Sequence, residues 1–351
     1  MAPPDTDALL RSIDTANDAA SVGVCARTLP SILAELHEEG QPALDIITTI
    51  STCGERIAMR LLQLAEQERG QPPVPYTFAV AGSLARGEQI LGSDQDNVLV
   101  LSDDYREDRH GEYFSTLSEQ VCQQLADCGY HLCPGDIMAS NPRWRMSLDD
   151  WQSDFRRWIA EPEPGALLRL CIFFDLRAIH GDAGLVKALR GDFLARTRES
   201  PLFQAHLAAA ALHFRPALNW FGRLRFKRDE QGRARMNLKK HAITPLVDLA
   251  RTSSLAVGLD AVGTLKRLQA LERQNPADSD RIHGLESAFE TASALRIAHQ
   301  ARRVRADQRP DYRVVRDELS DDDERALKDA FQLINDAQQA LTRQFRAEAF
   351  L

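Results

Sequence analysis

Two short motifs hold the side chains whose types and spacing suit chemistry on phosphates. Gly82-Ser83 follows an apolar run from Tyr76 to Ala81, and Asp94-Gln95-Asp96 precedes a second run from Asn97 to Leu101. Both runs are typical of buried strands, and the polar segment between them is long enough for a short helical turn. Residues at i and i+2 of an extended chain share a face, so Asp94 and Asp96 are expected to point the same way.

This combination of residues suits a metal-bound triphosphate. Two converging carboxylates repel each other but bind a divalent cation, so one or two Mg²⁺ ions are the expected cofactor. Gly82 lets the backbone approach a ligand closely, and Ser83 with the following amides can hold a phosphate at a helix N-terminus. A triphosphate site that faces a carboxylate pair is the apparatus of nucleotidyl transfer. The same residue types also favour ordinary turns, which is the simpler interpretation.

The motifs resemble those of a known superfamily. Gly-Ser, a ten-residue spacer and Asp-x-Asp are similar to the active-site signature of the DNA polymerase β-type nucleotidyltransferases. The longer strings Gly82–Gln89 and Ser93–Asn97 resemble a bacterial family of nucleotidyltransferases related to the PII-protein uridylyltransferase. This resemblance continues through Cys133–Ala139 and Asn237–Lys240, so it extends over most of the chain.

The resemblance implies a reaction and a set of site residues. A nucleoside monophosphate would pass from a nucleoside triphosphate to an acceptor hydroxyl, with release of pyrophosphate. By family analogy, a protein side chain is a candidate acceptor, in a signal-transduction role. The resemblance assigns metal binding and catalysis to Asp94 and Asp96. It assigns binding of the triphosphate to Gly82, Ser83, Arg86 and Lys239.

The same resemblance exposes one departure from the family pattern. A third carboxylate that helps activate the attacking hydroxyl is expected at the position of Cys133. A neutral thiol is a poor substitute as a hard-metal ligand or as a base. Asp136 is the available catalytic replacement, and an ordinary turn aspartate is an equally good interpretation. The alternative function is therefore a catalytically degenerate module that senses a nucleotide or binds a partner.

Other charged residues give less specific signals. Residues 221–240 contain eight lysines and arginines against Asp229 and Glu230, which predicts either a phosphate-facing hairpin or a solvated basic loop. Asp175 and Arg177 resemble the start of the family's substrate-binding domain, or they form a buried ion pair. No role is assigned to His299, because a lone histidine is commonly structural.

Composition limits the classes of partner. The net charge of −8 argues against a nucleic acid partner. We expect no membrane partner, since no apolar run of about 20 residues is evident. The six cysteines show no Cys-x-x-Cys spacing and are expected to be reduced in a cytoplasmic protein.

The predicted fold class is α/β plus all-α. A minimal polymerase β-like nucleotidyltransferase domain is expected in residues 71–150. It would be flanked by an N-terminal helical segment in residues 1–70 and by a helical substrate-binding domain, a C-terminal bundle, in residues 151–351. Further predicted elements are a strand at Tyr130–Ala139 and helices at residues 6–69, 111–128, 166–179, 183–197, 202–221, 244–255, 261–274, 285–302 and after Ser320.

Overall fold

The computed structural model of the chain describes residues 5–163, 167 and 171–350. The chain forms two compact units. The first comprises residues 1–40, 45–158 and 169–193, and the second comprises residues 41–44, 159–168 and 194–351. The described part is mainly helical with a small mixed sheet, which confirms the predicted fold class. The three-segment division into residues 1–70, 71–150 and 151–351 remains a prediction.

The N-terminal part of the chain is helical, as predicted. Its last helix is the longest, and an apolar stripe along it is buried at Ile46, Ile50, Ile57 and Leu61. This stripe therefore contributes to the core of the first unit. The four helices are α1 (Thr6–Thr15), α2 (Ala19–Ala26), α3 (Leu29–Glu38) and α4 (Ala43–Arg69).

One apolar stretch was overlooked in the sequence. Ala19–Glu38 has a mean hydropathy of 1.2 over a length that could cross a membrane, and 39% of it is buried. Two separate helices make up this stretch, because α2 ends at Ala26 and α3 begins at Leu29. Core helices and signal sequences share this composition, so the stretch alone assigns no location.

A four-stranded sheet lies in the first unit, in the order β3-β2-β1-β4. The two predicted strands are its centre, and they pair antiparallel from Tyr76↔Leu101 to Val80↔Asn97. Every residue of both central strands is buried. This register brings the segment that follows β1 next to the segment that precedes β2. The strands are β1 (Tyr76–Val80), β2 (Asn97–Leu101), β3 (Arg145–Ser147) and β4 (Arg177–Gly181).

The strand predicted at Tyr130–Ala139 is wrong. Only His131 makes a β-bridge, to Asp94, and a turn follows in which the Asp136 amide donates to the Cys133 carbonyl at 2.8 Å. Pro134 and Gly135 explain the difference, because a proline lacks a backbone donor and a glycine favours turns. The edge position next to β2 belongs instead to β3, which pairs with it in parallel.

The helix predicted at Ala166–Ile179 is also wrong from Cys171 onward, although Leu167 is helical. Residues 164–166 and 168–170 lie outside the described residues, and Cys171–Asp175 is a 3-10 helix. β4 follows and pairs antiparallel with β1. A short apolar run such as Cys-Ile-Phe-Phe fits a helix or a strand equally well by periodicity. The helices around these strands are α5 (Gly82–Arg86), α6 (Glu107–Asp127), α7 (Leu148–Ala160) and α8 (Ala183–Glu199).

The second unit is a helical bundle with a small antiparallel sheet. Its core includes Leu246, Leu268, Phe289 and Phe331. The last helix begins directly after Ser320, as predicted, and Ser320 forms a full capping box with Asp323. The elements are α9 (Pro201–Ala210), β5 (Lys227–Arg228), β6 (Ala234–Asn237), α10 (Thr244–Ala256), α11 (Thr264–Gln274), α12 (Ser279–Arg305), β7 (Arg313–Val315) and α13 (Asp321–Phe345).

The predicted helix at residues 202–221 ends early, at Ala210. Pro216 accounts for part of this difference, because the residue before a proline disfavours the helical region. The predicted basic hairpin is present, since β5 pairs antiparallel with β6 around a turn at Asp229–Gly232. β6 continues the sheet to β7.

His299 has a structural role in this unit. The ring is buried, with Nε2 2.8 Å from Asp311 Oδ1 and Nδ1 3.0 Å from Glu318 Oε2. It therefore ties α12 to the segment on either side of β7. Burial alone would raise the pKa of Asp311, but hydrogen bonds from His299 and the Arg313 amide, with the charge of Arg303, lower it to about 2.

The lowered pKa of Asp311 predicts that the protein loses stability as the pH falls. A lowered native pKa contributes stability above the unfolded value, and this contribution is lost as the pH falls towards about 2. Between about pH 4 and pH 2 the free energy of unfolding should therefore fall less steeply for Asp311→Asn than for the wild type. Urea unfolding at several pH values measures this, with the exposed Asp336→Asn as control. Equal slopes for Asp311→Asn and the wild type would contradict the expectation.

Candidate active site

Gly82 lies against the carboxylate of Asp96. A Cβ atom built on Gly82 would stand 2.7 Å from Asp96 Oδ2, and the backbone has φ +57. The Ala81 amide donates to the Asp96 carbonyl at 2.9 Å, which joins the two motifs directly. A side chain at position 82 would therefore collide with the carboxylate and strain the backbone. The antiparallel register of β1 and β2 produces this approach.

Ser83 is on the first turn of α5, beside Gly82. Its side chain is half-buried, and its hydroxyl has no hydrogen-bond partner among the described residues. Gly87 closes the helix in the left-handed conformation. Amides in the first turn of a helix have no partner within the helix, so they can donate to a ligand. With only five residues, α5 has a small dipole, and its contribution would come from these donors.

Asp94 and Asp96 are on the same side of their segment, as predicted. Both are half-buried, whereas Gln95 and Asn97 are fully buried, which is the alternation of an extended chain. No group of three or more histidine, cysteine or acidic side chains suited to a metal ion is present in the described ranges. Two carboxylates nevertheless fit Mg²⁺, because this ion keeps several water ligands and binds substrate phosphates. The donor set is therefore consistent with a metal shared between protein and triphosphate.

Hydrogen bonds of two buried side-chain amides, Gln95 and Asn97, fix the segment that carries the two carboxylates. Gln95 Nε2 donates to the Cys122 carbonyl at 2.9 Å, and Asn97 Nδ2 donates to Gln95 Oε1 at 3.2 Å. Asn97 Oδ1 accepts from the Ala139 amide at 2.8 Å. These bonds fix the buried side of the segment, so the opposite side must present both carboxylates. Sequence reasoning missed this role, although the alternation of amides and carboxylates is visible in Asp-Gln-Asp-Asn.

Loss of the hydrogen bonds of Asn97 should destabilise the first unit. Asn97→Ala leaves the Ala139 amide and Gln95 Oε1 buried without partners, so we expect the free energy of unfolding to fall by about 2–4 kcal/mol. Urea denaturation measures the change. Gln123→Ala, on the exposed side of α6, is the control. A loss no larger than that of the control would contradict the assigned role of Asn97.

Cys133 contacts the Asp96 carboxylate. Burial raises the pKa of its thiol to about 12, and the charge of Asp96 and a hydrogen bond with Asp96 add to the increase. At neutral pH the thiol is therefore protonated and serves Asp96 as a hydrogen-bond donor. The side chain lies beside the carboxylate pair, where the family resemblance expects a third carboxylate.

Asp136 is exposed at the end of the turn that begins at Cys133. Its φ of 54 is in the left-handed region, which is uncommon for residues other than glycine. Asn141 Nδ2 donates to Asp136 Oδ2 at 2.8 Å, and Trp144 Nε1 donates to its carbonyl at 2.8 Å. The carboxylate is therefore held in one direction, although aspartate also adopts this conformation in ordinary turns.

Arg86 is bound by two carboxylates. Its Nη1 lies 2.6 Å from Asp175 Oδ2, and its Nε lies 2.7 Å from Glu88 Oε2. The expected contact of Arg86 with the triphosphate therefore remains a prediction, because the guanidinium already has partners within the protein. The ion pair considered for Asp175 and Arg177 is replaced by separate pairs, since Arg177 binds Glu55 at 2.5 Å.

Arg177 also supports the turn that carries Gly82 and Ser83. Its Nε donates to the Ala85 carbonyl at 3.0 Å and its Nη2 to the Leu84 carbonyl at 3.1 Å, at the end of α5. Carbonyls at a helix C-terminus lack partners within the helix, so the guanidinium satisfies them. Sequence reasoning could not find this contact, because 92 residues separate Arg177 from Ala85.

Lys239 belongs to the second unit. It begins a short π-helix, Lys239–Ile243, and its Nζ lies 4.8 Å from the centre of the Tyr312 ring. Arg296 lies over the same ring at 5.5 Å. Short π-helical segments are frequent at functional sites. The first unit thus places Gly82 against Asp96 and carries Ser83, Arg86 and Asp94 in the same two segments, while the proposed lysine belongs to the second unit.

Comparison with known families agrees with this geometry. A Gly-Ser turn packed on an Asp-x-Asp segment at the ends of paired strands defines the class of nucleotidyltransferase-like folds. Residues 27–165 match a family described as "Putative nucleotidyltransferase DUF294", and residues 201–345 match one described as "Putative nucleotidyltransferase substrate binding domain". The chain belongs to this nucleotidyltransferase family and has its C-terminal substrate-binding domain. No curated protein matches the chain.

Proposed function

We propose that the protein is a metal-dependent nucleotidyltransferase. It transfers a nucleoside monophosphate from a nucleoside triphosphate to an acceptor hydroxyl and releases pyrophosphate. The observation that supports this best is the approach of Gly82 to within contact of the Asp96 carboxylate, in a chain of this family. Because Gly82 has no side chain, the backbone at the start of α5 lies directly beside a carboxylate that could share a cation with a bound phosphate.

Each proposed residue has a separate task in the transfer. Gly82 and Ser83 would hold the triphosphate, and Lys239 would pair with its oxygens. Asp94 and Asp96 would hold the Mg²⁺, which when bound would offset charge that develops on the phosphates. The acceptor oxygen forms a bond to the α-phosphorus, while the bond from the α-phosphorus to the leaving pyrophosphate oxygen breaks. Asp136 takes the proton of the acceptor hydroxyl.

A protein hydroxyl is the acceptor that we propose. The match of residues 201–345 to a substrate-binding domain supports a dedicated site for a partner larger than the nucleotide. This domain holds an extensive core of its own and a small sheet.

A second function deserves a test because of Cys133. A thiol that donates to Asp96 occupies the neighbourhood of the expected third carboxylate, which favours a module that binds a nucleotide without turnover. The two functions separate in one experiment. The protein is mixed with each nucleoside triphosphate, Mg²⁺ and cell lysate, and pyrophosphate release and nucleotide binding are both measured. Release that EDTA abolishes supports transfer, whereas Mg²⁺-dependent binding without release supports sensing.

Lys239 should contribute to the binding of the triphosphate and not to the binding of the nucleoside. We expect Lys239→Ala to weaken triphosphate binding by about 1.5–3 kcal/mol, the range of a hydrogen bond to a charged group. Binding of the matching nucleoside should be unchanged. Isothermal titration with both ligands measures this, and Lys240→Ala is the control, because Lys240 is exposed over the ring of Phe214. Equal losses for both ligands would point to a structural role.

A further inference from the structure

Two aromatic side chains protrude from the second unit. Trp220 is 98% exposed and Phe221 is 83% exposed, and they are the most exposed large apolar side chains in the described part of the chain. Single exposed apolar residues are common on protein surfaces, but two adjacent aromatic rings in water are costly. This pair therefore marks a surface that becomes covered when a partner binds.

The protruding pair is held in a defined turn. Asn219 Oδ1 accepts from the amides of Phe221 at 2.9 Å and Arg223 at 3.0 Å, and the Asn219 amide donates to the Arg223 carbonyl at 2.8 Å. Gly222 adopts φ +69, as the turn requires. A bridge between Leu218 and Leu224 closes its base. The rings are thus presented by a fixed backbone, and binding would not need to order this loop.

A row of cations follows the turn. Arg223, Arg225 and Lys227 are exposed at alternate positions, whereas Leu224 and Phe226 between them pack on the core of the second unit. Alternate side chains of an extended segment lie about 7 Å apart on one face. None of the three cations forms an ion pair with an acidic side chain of the described residues. We name Trp220, Phe221 and these three cations the aromatic-basic tip.

Basic side chains outnumber acidic ones around the tip. The groove that Arg223 lines also contains Arg316, Arg325 and Lys328, against Asp321 and Glu324. Residues 215–240 contain nine lysines and arginines against two acidic residues, in a chain whose net charge is −8. Burial lowers the pKa of His241, and the positive charges of Lys240, Lys227 and Arg225 lower it further. Positive charge is therefore concentrated in the part of the second unit that carries the two rings.

We propose that the aromatic-basic tip binds peripherally to a membrane surface rich in anionic phospholipids. Tryptophan and phenylalanine rings are stable at the boundary between headgroups and acyl chains, where an apolar body meets water. Arginine and lysine beside them pair with lipid phosphates. The contact needs no spanning helix, so it differs from the membrane association that the sequence argued against.

The arrangement of the tip favours this partner over other polyanions. Single-stranded nucleic acid binds surfaces on which aromatic rings lie among the cations, so that bases stack while phosphates pair. Here both rings stand together at one end of the row and precede the cations. An acidic protein would need a pocket for both rings, whereas the soft boundary of a bilayer accepts them without one.

Vesicle binding of the full chain tests the proposal. Large unilamellar vesicles of phosphatidylcholine alone are compared with vesicles in which about one third of the lipid is phosphatidylglycerol, by co-sedimentation at physiological salt. We expect at least about 10-fold tighter binding to the anionic vesicles. Trp220→Ser with Phe221→Ser, and separately Arg223→Glu with Arg225→Glu, should each weaken that binding at least about 10-fold.

Matched variants and a spectroscopic signal make the test specific. Leu202→Ser removes another half-exposed apolar side chain, and Arg109→Glu reverses an exposed charge of the first unit, so both should bind like the wild type. The difference between the emission of the wild type and of Trp220→Phe isolates Trp220, and it should shift to shorter wavelength on anionic vesicles. Binding of a labelled single-stranded oligonucleotide to the same protein variants is then measured, with and without the vesicles.

Three outcomes would overturn the proposal. The first is equal binding of the wild type and the Trp220→Ser/Phe221→Ser variant to anionic vesicles. The second is binding without a change in Trp220 emission, which would indicate charge attraction elsewhere on the chain. The third is tight, tip-dependent binding of the oligonucleotide with no vesicle binding, which would assign the surface to nucleic acid.

Discussion

Asp94→Asn combined with Asp96→Asn is expected to abolish Mg²⁺-dependent triphosphate binding. The two carboxylates are the only ligands that we propose for the metal, and loss of a cation that offsets phosphate charge removes several kcal/mol of stabilisation. Turnover should therefore fall by at least about 10³-fold. Titration of the triphosphate with and without Mg²⁺ measures the binding, and pyrophosphate release measures the turnover.

The fold should survive this double substitution. Asparagine has nearly the shape of aspartate, and the change removes repulsion between two neighbouring like charges. Asp104→Asn with Asp108→Asn changes the same net charge at exposed positions of the first unit and should leave binding unchanged. Unaltered Mg²⁺-dependent binding in the Asp94→Asn/Asp96→Asn protein would refute the metal site.

The second large effect is expected when Asp136, the proposed general base, is replaced. Asp136→Asn should lower the transfer rate by about 10²–10⁴-fold and change triphosphate affinity little, which is the pattern expected when a general base is lost. Single-turnover rates at saturating triphosphate separate the two quantities. An unchanged rate would exclude Asp136 as the base, and the proton would then have to leave through the acceptor or another residue.

Cys133→Asp gives a rescue test of the same assignment. Because the thiol of Cys133 contacts Asp96, a carboxylate there would stand beside the metal-binding pair. In the Asp136→Asn background it should restore part of the lost rate, whereas Cys133→Ser should not. Suppose instead that the wild type binds the triphosphate with Mg²⁺ but shows no transfer, and that neither Cys133→Asp nor Cys133→Ser produces any. The sensing function is then the better account.

The parts that the sequence predicted are those that local patterns determine. The strands around the motifs, the helical turn at Gly82 and the shared face of Asp94 and Asp96 follow from short periodicities and from two dense motifs. The buried side of the same segment, where Gln95 and Asn97 bond to the 122–139 region, was not predicted. Its partners come from a different element, and no local pattern specifies them.

Non-local pairing accounts for the errors as well. β3 and β4 are three and five residues long and join the sheet only because β2 and β1 offer free edges. Their sequences carry no period that separates strand from helix. Likewise, Arg86 has the composition of a phosphate ligand, but Asp175, 89 residues away, binds its guanidinium.

Transfer of label from differently labelled triphosphates tests the central claim most directly. The wild type is incubated with Mg²⁺, cell lysate and a triphosphate labelled at either the α- or the γ-phosphate, and protein-bound label is followed. Nucleotidyl transfer predicts that the α-label reaches a protein acceptor, while the γ-label leaves as pyrophosphate. Label from the γ-phosphate on the acceptor, or no transfer from any triphosphate, would contradict the account.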